Sequence, residues 1–428
     1  TLLFALAFLV GCAPQATLPP ETFDPVKIAV VTSLSGTLAT DGPGWEDAAR
    51  MAAREINAAG GPLPGRPIEL IVLDDETNPE NGPALAEQII AADVAGIIGP
   101  PASSVTLAIA QATVPAQIPQ ISCCATSDLI TSFNENTAEE DRYLFRTAPP
   151  DSLQAIVVAE AAVELECTRL AILHLDDDYG EPFGLGIEQA FRARGGTVAV
   201  RVPFVDELPS YAAEVTRVRD AMPDCIALVA FPVSGGQIVR DWANLTSPPD
   251  VKWIGTDGVR APGFVEEAGD PALIDGFYGA SPVVDPATPA YNDFASRFEA
   301  VFGYAPIPFS SNQYDAMALL GLAIARAGTT DGPAVRDALR EVASPPATRG
   351  VVRAGQLADG IADIRAGRDV DYDGASGDTN FDEYGNVVTQ YEIWRYDAPG
   401  TTPCPRAQIL PRGSFCRYRV FNAEEIRP

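Results

Sequence analysis

The chain has 428 residues, and 29 Lys+Arg stand against 58 Asp+Glu, a formal net charge of −29. So acidic a protein is repelled by nucleic-acid phosphates and anionic lipid headgroups, which excludes both as partners. The length favours two or three domains and the 46 % apolar content is that of a globular chain, while a lone histidine, His174, excludes His-cluster metal sites and leaves one candidate for a His-dependent triad.

Residues 2–10 form an unbroken apolar run followed by Gly11 and Cys12. A spanning helix needs roughly 20 apolar residues, so the run suits the apolar part of a signal peptide, here residues 1–11. Leu9-Val10-Gly11-Cys12 resembles a bacterial lipobox, in which cleavage leaves the cysteine as a lipidated terminus. The bland alternative is an ordinary signal peptide with an incidental cysteine. Residues 12–25 then read as a Pro/Thr-rich tether, and the protein is expected in the periplasm or cell envelope, held to the membrane by its lipid anchor only. Six cysteines remain: Cys123, Cys124, Cys167, Cys225, Cys404 and Cys416. An even number in an oxidising compartment suggests disulfides.

From residue 26 short apolar strands alternate with amphipathic helices. Residues 26–32 (VKIAVVT) predict a strand, and 45–59 a helix with Ala48, Ala52, Ile56 and Ala59 on one face, stopped by Gly60-Gly61. Strands follow at 68–73, 94–98 and 120–122, with helices at 83–92 and 103–114 between them. Continuous apolar strands between helices indicate a parallel sheet covered on both faces. The rhythm restarts after Arg146-Thr147-Ala148-Pro149-Pro150, with helices at 152–165, 182–194, 211–221 and 236–245 and strands at 170–175, 197–204, 226–231 and 253–255. First and third strands of such a unit are neighbours. Cys167 and Cys225 precede those two strands, which makes a bridge between them sensible.

A strand near 276–284, helices at 289–302, 312–327 and 332–342, and a β-rich, Asp/Gly-rich segment from 350 to 396 complete the pattern. Neither late block makes a domain alone, so each is expected to complete one of the two units. The expected division is 26–148 with 276–346 as lobe 1, and 149–275 with 347–397 as lobe 2. A C-terminal extension, 398–428, follows, where Cys404 and Cys416 close a short loop worth about 3 kcal/mol. The result is a hinged clamshell.

In open α/β sheets ligands bind beyond the carboxyl ends of the strands. The first lobe places there Thr32-Ser33-Leu34-Ser35-Gly36, Ser103-Ser104 at a helix start, and Cys123-Cys124-Ala125-Thr126-Ser127. The second places Asp176-Asp177-Asp178-Tyr179-Gly180, the stretch from Phe231 to Gly236, and Gly255-Thr256-Asp257-Gly258. A hydroxyl-rich lobe with helix amino termini suits a carboxylate; an acidic, aromatic lobe suits an ammonium and an apolar group. Taken singly, these residues also read as ordinary caps and turns. Taken together they describe a zwitterion with a side chain.

IAVVTSLSGTLATDG, INAAGG, IGPPASSVTLAIA, IPQISCCATSDLIT, LFRTAPPD, LHLDDDYGEPFG, GTDGV and DYDGASGDTNFDEYGNVVTQYEIW occur in that order. Together they resemble the leucine/isoleucine/valine-binding family of periplasmic solute-binding proteins, over residues 26–397. The resemblance implies an α/β, two-lobed type I periplasmic-binding-protein clamshell. Each lobe is then a doubly wound parallel sheet flanked by helices, and three chain crossings join them. It implies that Ser103, beside Ser104, and Thr126 hold a ligand α-carboxylate. The Cys124 carbonyl and Asp257 take the α-ammonium, Tyr179 closes from the second lobe, and Phe231 lines the side-chain pocket. Asp41 stands where the family often has an aromatic residue, which enlarges or polarises that pocket.

The implied protein is a monomeric, non-enzymatic binding lipoprotein without cofactor or metal. It delivers an amino acid or close analogue to an ABC permease; the alternative is a sensing or regulatory lipoprotein of the same fold. Cys123-Cys124 falls in the ligand loop, as a vicinal disulfide or as two thiols. The run Asp371, Asp373, Asp378, Asn380, Asp382 alternates carboxylates as calcium loops do, but lacks the closing glutamate spacing. His174, mid-strand, reads as a packed residue.

Overall fold

The computed structural model describes residues 24–283, 288–343, 350–401, 404, 407–422 and 425–426. Residues 1–23, with Cys12 of the expected lipobox and nearly all of the expected tether, lie outside the described residues. Among those described, no helix is long and apolar enough to cross a membrane.

The first unit runs β1 (Val26–Thr32), α1 (Gly42–Ala58), β2 (Ile68–Asp74), α2 (Gly82–Ala91), β3 (Ile97–Ile98), α3 (Ser103–Thr113), β4 (Gln120–Ser122), α4 (Asp128–Glu135) and β5 (Leu144–Arg146). Its strands lie in the order β2-β1-β3-β4-β5, every pair parallel. Every β1 residue except Lys27 is buried, because helices cover both faces of the sheet. The α1 face carrying Ala48, Ala52 and Ile56 is buried, and the helix stops at Gly60-Gly61, both at positive φ.

The second unit runs α5 (Asp151–Glu164), β6 (Arg169–Leu175), α6 (Gly180–Ala193), β7 (Thr197–Phe204), α7 (Ala212–Asp220), β8 (Cys225–Val229), α8 (Pro232–Ala243), β9 (Lys252–Gly255), α9 (Pro262–Glu267) and β10 (Tyr278–Val283). Leu170 of β6 pairs with Cys225 of β8, so first and third strands are neighbours as expected. Cys167 is thereby brought against Cys225, Cα to Cα 5.8 Å. The remainder comprises α10 (Pro289–Phe302), α11 (Ser310–Ala327), α12 (Gly332–Ala343), β11 (Gly350–Arg353), α13 (Leu357–Arg365), β12 (Val370–Gly374), β13 (Gly377–Asp378), β14 (Gln390–Asp397), β15 (Gln408–Leu410) and β16 (Gly413–Phe421).

Two of the expected lobe assignments change. The strand expected in lobe 1 from residue 276 is β10, and it is bonded to β9 and β14 in the second sheet. Lobe 1 resumes only with α10, whose Phe294 and Phe298 enter its core. Conversely, β11, α13, β12 and β13, expected in lobe 2, pack on lobe 1, where Val352, Leu357, Ile361 and Tyr372 share a core with Ile56 and Leu320. A polar anchor reinforces this. Buried Asp315 of α11 accepts from Tyr372 Oη (2.6 Å), the amides of Ala375 (2.9 Å) and Ser376 (2.7 Å), and Ser376 Oγ (2.6 Å). Hydrophobic patterning marks these segments as strands and helices, yet carries no label for the sheet they join.

The second sheet has the order β15-β16-β14-β10-β9-β8-β6-β7. Its last three strands in sequence, β14, β15 and β16, run antiparallel to their neighbours. The C-terminal extension is therefore part of this sheet, and it brings Cys404 and Cys416 together, Cα to Cα 5.8 Å. The chain passes between lobes after β5, after β10, and between β13 and β14.

Candidate functional site in the cleft between the lobes

The first lobe presents two adjoining segments at its carboxyl edge. The N-cap of α3 is Ala102, which offers no side-chain acceptor, so the first-turn amides lack an intramolecular cap. Ser103 and Ser104 follow it, both buried, and Ser103 Oγ accepts from the Ser127 amide at 3.2 Å. After β4 come Cys123 and Cys124, both buried, and then Thr126. Thr126 is buried beside Asp151, whose pKa its hydroxyl lowers, and the Thr126 carbonyl accepts from the Asp151 amide at 2.8 Å.

The second lobe answers with rings and carboxylates. Tyr179 follows β6, Phe231 follows β8, and Asp257 follows β9. The Tyr179 and Phe231 rings stack at 5.5 Å between centroids, 5° from parallel. Tyr179 Oη donates to Asp257 Oδ1 at 3.1 Å and lies 3.0 Å from Thr256 Oγ1. Gln154 Nε2 donates to the same Asp257 oxygen at 2.7 Å and to the Ala280 carbonyl at 2.9 Å. Asp257 is thus fixed in place by two neighbours before anything else meets it.

Burial raises the Asp257 pKa above the ordinary carboxylate value, and the bonds from Gln154 and Tyr179 oppose the rise. Asp151 is raised further, by burial first and then by the charges of Asp257 and Asp128. The Thr126 hydroxyl and the charge of Arg146 oppose that rise. Two desolvated acids of this kind form a site that a cation stabilises. Asp151 and Gln154 were missed from the sequence. The available signal was the RTAPPD stretch, which ends on an acidic residue at the first turn of a buried helix. Asp41 is likewise buried, and burial pushes its pKa up to about 7 against a bond from Thr40.

Asp41, Cys124, Phe231 and Asp257 line one cavity of about 40 Å³, together with Trp45 and Arg260. At roughly 10–15 Å³ per water, that is room for a few waters and not for an amino acid. Tyr179 reaches this cavity through its bond to Asp257; Ser103, Ser104 and Thr126 do not line it. The lobes touch above the cavity: Thr37 Oγ1 donates to Asp206 Oδ2 at 2.8 Å, and Ser127 Oγ donates to the Asp178 carbonyl. Fully buried Arg146 braces the first-lobe side, its Nε on Asn386 Oδ1 at 2.9 Å and its terminal nitrogens on the Ser127 carbonyl at 2.9 Å and Thr131 Oγ1 at 2.7 Å.

Two sheets that place hydroxyls and amides against acids and rings across a cleft have known counterparts. The family model for periplasmic binding proteins matches residues 25–352. The chain belongs to the periplasmic binding protein family. It is 24% identical over 336 residues to the Leu/Ile/Val-binding protein BraC3 of Rhizobium johnstonii, covering 78% of this chain and 88% of that one. It is 25% identical over 343 residues to the leucine-, isoleucine-, valine-, threonine- and alanine-binding protein of Pseudomonas aeruginosa, covering 79% and 87%. The leucine binding protein LivK of Thermotoga maritima superposes with a TM-score of 0.74 at 21% identity, covering 93% of this chain and 99% of its own. At the level of fold, a Rhodopseudomonas palustris solute binding protein crystallised with benzoate is also similar, with a TM-score of 0.71 at 18% identity and coverage of 94% and 99%. This periplasmic binding protein is accordingly a two-lobed type I clamshell with a solute-binding role.

Other residues singled out in the sequence do local work. His174 is buried in β6, its Nδ1 2.8 Å from the Leu175 carbonyl, and burial lowers its pKa. In the acidic run, Asp378 accepts from the Asn380 amide and Asp382 from the amides of Tyr384 and Asn386. Those carboxylates close their own turns. The one Cys/Asp cluster among the described residues with metal-ligand proximity is Cys167, Asp224 and Cys225. Asp224 there accepts from the amides of Thr168 and Arg169.

Proposed function

We propose that this periplasmic binding protein captures an amino acid of the branched-chain type, or a close analogue, and presents it to an ABC permease. The observation that carries the reading is the Asp257 carboxylate, buried on the cavity wall and held by Tyr179 and Gln154. With the ligand between the lobes, Asp257 and the Cys124 carbonyl receive the α-ammonium. Ser103, Thr126 and the uncapped start of α3 receive the α-carboxylate, with Ser104 beside them. Phe231, backed by Tyr179, meets the side chain, and Asp41 sets the polarity of the pocket. The reading is supported by the names of the relatives, and by the Streptococcus pneumoniae LivJ structure with isoleucine, similar in fold with a TM-score of 0.70 at 23% identity. Closure around the ligand selects it.

In the same reading Cys12 carries the lipid, the protein works as a monomer without catalysing a reaction, and the three cysteine pairs are oxidised. Thermal-shift measurements of the mature fragment against the twenty common amino acids test the binding role: stabilisation by an aliphatic member is expected, and no stabilisation by any of them rejects it. Asp257→Ala is expected to abolish the shift. Fractionation of cells carrying the full-length protein and its Cys12→Ala variant tests the anchor, the variant being released from the membrane if Cys12 is lipidated. Thiol titration of the denatured, unreduced mature fragment is expected to find no free cysteine.

A further inference from the structure

Glu392 lies in the middle of the second sheet, opposite Ser281 of β10 on one side and Val420 of β16 on the other. Its side chain is wholly buried, and its chain neighbours Tyr391 and Ile393 are buried too. A carboxylate in such a position is costly unless cations meet it. Here two do so. A terminal nitrogen of Arg260 pairs with one carboxylate oxygen at 2.7 Å, and Nε of Arg417 donates to the other at 2.6 Å.

Arg260 is tied to three strands at once. Besides pairing with Glu392 of β14, it donates through its other terminal nitrogen to Gln408 Oε1 of β15 at 3.2 Å. Its guanidinium also lies over the Phe415 ring of β16, 5.7 Å from the ring centroid. At the backbone end of the same residue, the Arg260 amide donates to the Asp257 carbonyl at 2.9 Å and closes the single turn Asp257–Val259. The C-terminal strands are thus connected to the Asp257 turn through one side chain. The family match ends at residue 352, so Glu392, Gln408, Phe415 and Arg417 all lie beyond it.

Placement of that turn matters, because Asp257 lines the small cavity and Arg260 lines it too. Tyr179 and Gln154 orient the Asp257 carboxylate by bonding one of its oxygens. The backbone beneath it is held on one side by Val259, buried in the core, and on the other by Arg260. A buried ion group adds little net stability over apolar residues of the same size. What the Arg260–Glu392–Arg417 group supplies is a single geometry, since a planar guanidinium meets its acceptors in fixed directions.

We propose that Glu392, supported by Arg417 and Gln408, is a positioning residue for ligand binding. Acting through Arg260, it sets the Asp257 turn where the carboxylate meets the ligand ammonium. This inference rests on the amino-acid reading above and deepens it. The C-terminal strands govern how strongly an α-ammonium is recognised, without touching the ligand themselves.

Calorimetry and ligand-observed NMR of the mature fragment test it, with leucine and with 2-hydroxyisocaproate, which carries a hydroxyl in place of the ammonium. In Glu392→Gln the affinity for leucine is expected to fall about tenfold, the scale of one charge-assisted hydrogen bond, and that for the hydroxy acid by less than about twofold. Arg260→Met cuts the same tether while leaving Glu392 paired with Arg417, and is expected to lower the preference for leucine in the same way. Circular dichroism melts verify folding, and if Glu392→Gln does not fold, Arg260→Met decides. Equal losses for both ligands in a folded variant make Glu392 a structural support only and overturn the proposal, as does unchanged leucine binding. A stronger preference for leucine in Arg260→Met overturns it as well, since Arg260 would then act by repelling the ammonium and not by holding the turn. If the wild-type protein binds no leucine, the amino-acid reading itself fails and takes this one with it.

Discussion

The two lobes begin with the same strand order, β2-β1-β3-β4 in the first and β7-β6-β8-β9 in the second, and then part ways in chemistry. The first lobe brings to the cleft what backbone and small hydroxyls supply: an uncapped helix start, Ser103, and the loop from Cys123 to Ser127. The second brings long side chains, namely Tyr179, Phe231, Asp257 and Arg260, and takes on β14, β15 and β16 as antiparallel strands. In the proposed function, one fold repeated twice thus gives an anion-accepting half and a cation-accepting half. The cleft between them matches a molecule that carries both charges. Net charge contributes nothing to this match, since an excess of acid spread over the surface does not act on a zwitterion.

The comparison can be broken most severely on the acidic side. Asp257→Asn, which keeps shape and removes charge, should weaken ligand binding by more than about 100-fold in calorimetry, the scale of stripping one partner from a buried charge pair. On the hydroxyl side, Thr126→Val should cost only about tenfold, one hydrogen bond. If the two substitutions cost the same, the division of labour between the lobes is wrong.

Protons offer a finer probe. Burial raises the pKa values of Asp257 and Asp151 above the ordinary carboxylate value, and an ammonium favours their charged forms. Binding should therefore release protons, and affinity should fall as pH is lowered through the raised values. Calorimetry in buffers of different ionisation enthalpy measures that release. Asp41 acts on stability in the opposite sense. Its folded pKa is about 7 against an ordinary 3.8, so the folded state holds its proton more tightly than the unfolded one. The resulting destabilisation is absent below pH 3.8, grows with rising pH, and is complete above about 7. Asp41→Asn should raise the melting temperature at pH 8 by a few degrees, about what 1–2 kcal/mol produces, and leave it unchanged near pH 4. Smallest of all, Thr37→Val removes one clasp between the lobes. It should shift the balance toward the open form by about 1 kcal/mol, seen as a larger radius of gyration in ligand-free solution scattering.

Much of this arrangement was legible in the residues. Strands such as VKIAVVT are apolar throughout because both faces are covered, and the site loops follow directly from where such strands end. The spacing that put Cys167 and Cys225 before neighbouring strands also predicted their proximity. The placement of β10 and of β11 to β13 was not legible, since period and polarity identify an element without naming its partner sheet. Asp151 escaped notice because its role depends on Asp257, more than a hundred residues away, and on burial that neither residue declares.

Arg146 has a mechanical consequence. Its guanidinium ties the carbonyl of Ser127, Thr131 of α4, and Asn386 at the third passage between the lobes. The loop offered to the carboxylate and a strand of the pivot are therefore clamped by one rigid planar group. Pulling on either end displaces the other, so the floor of the cleft and its axle turn as a single part. Under the proposed function, occupancy of the cleft is thereby coupled to the pivot about which the lobes turn.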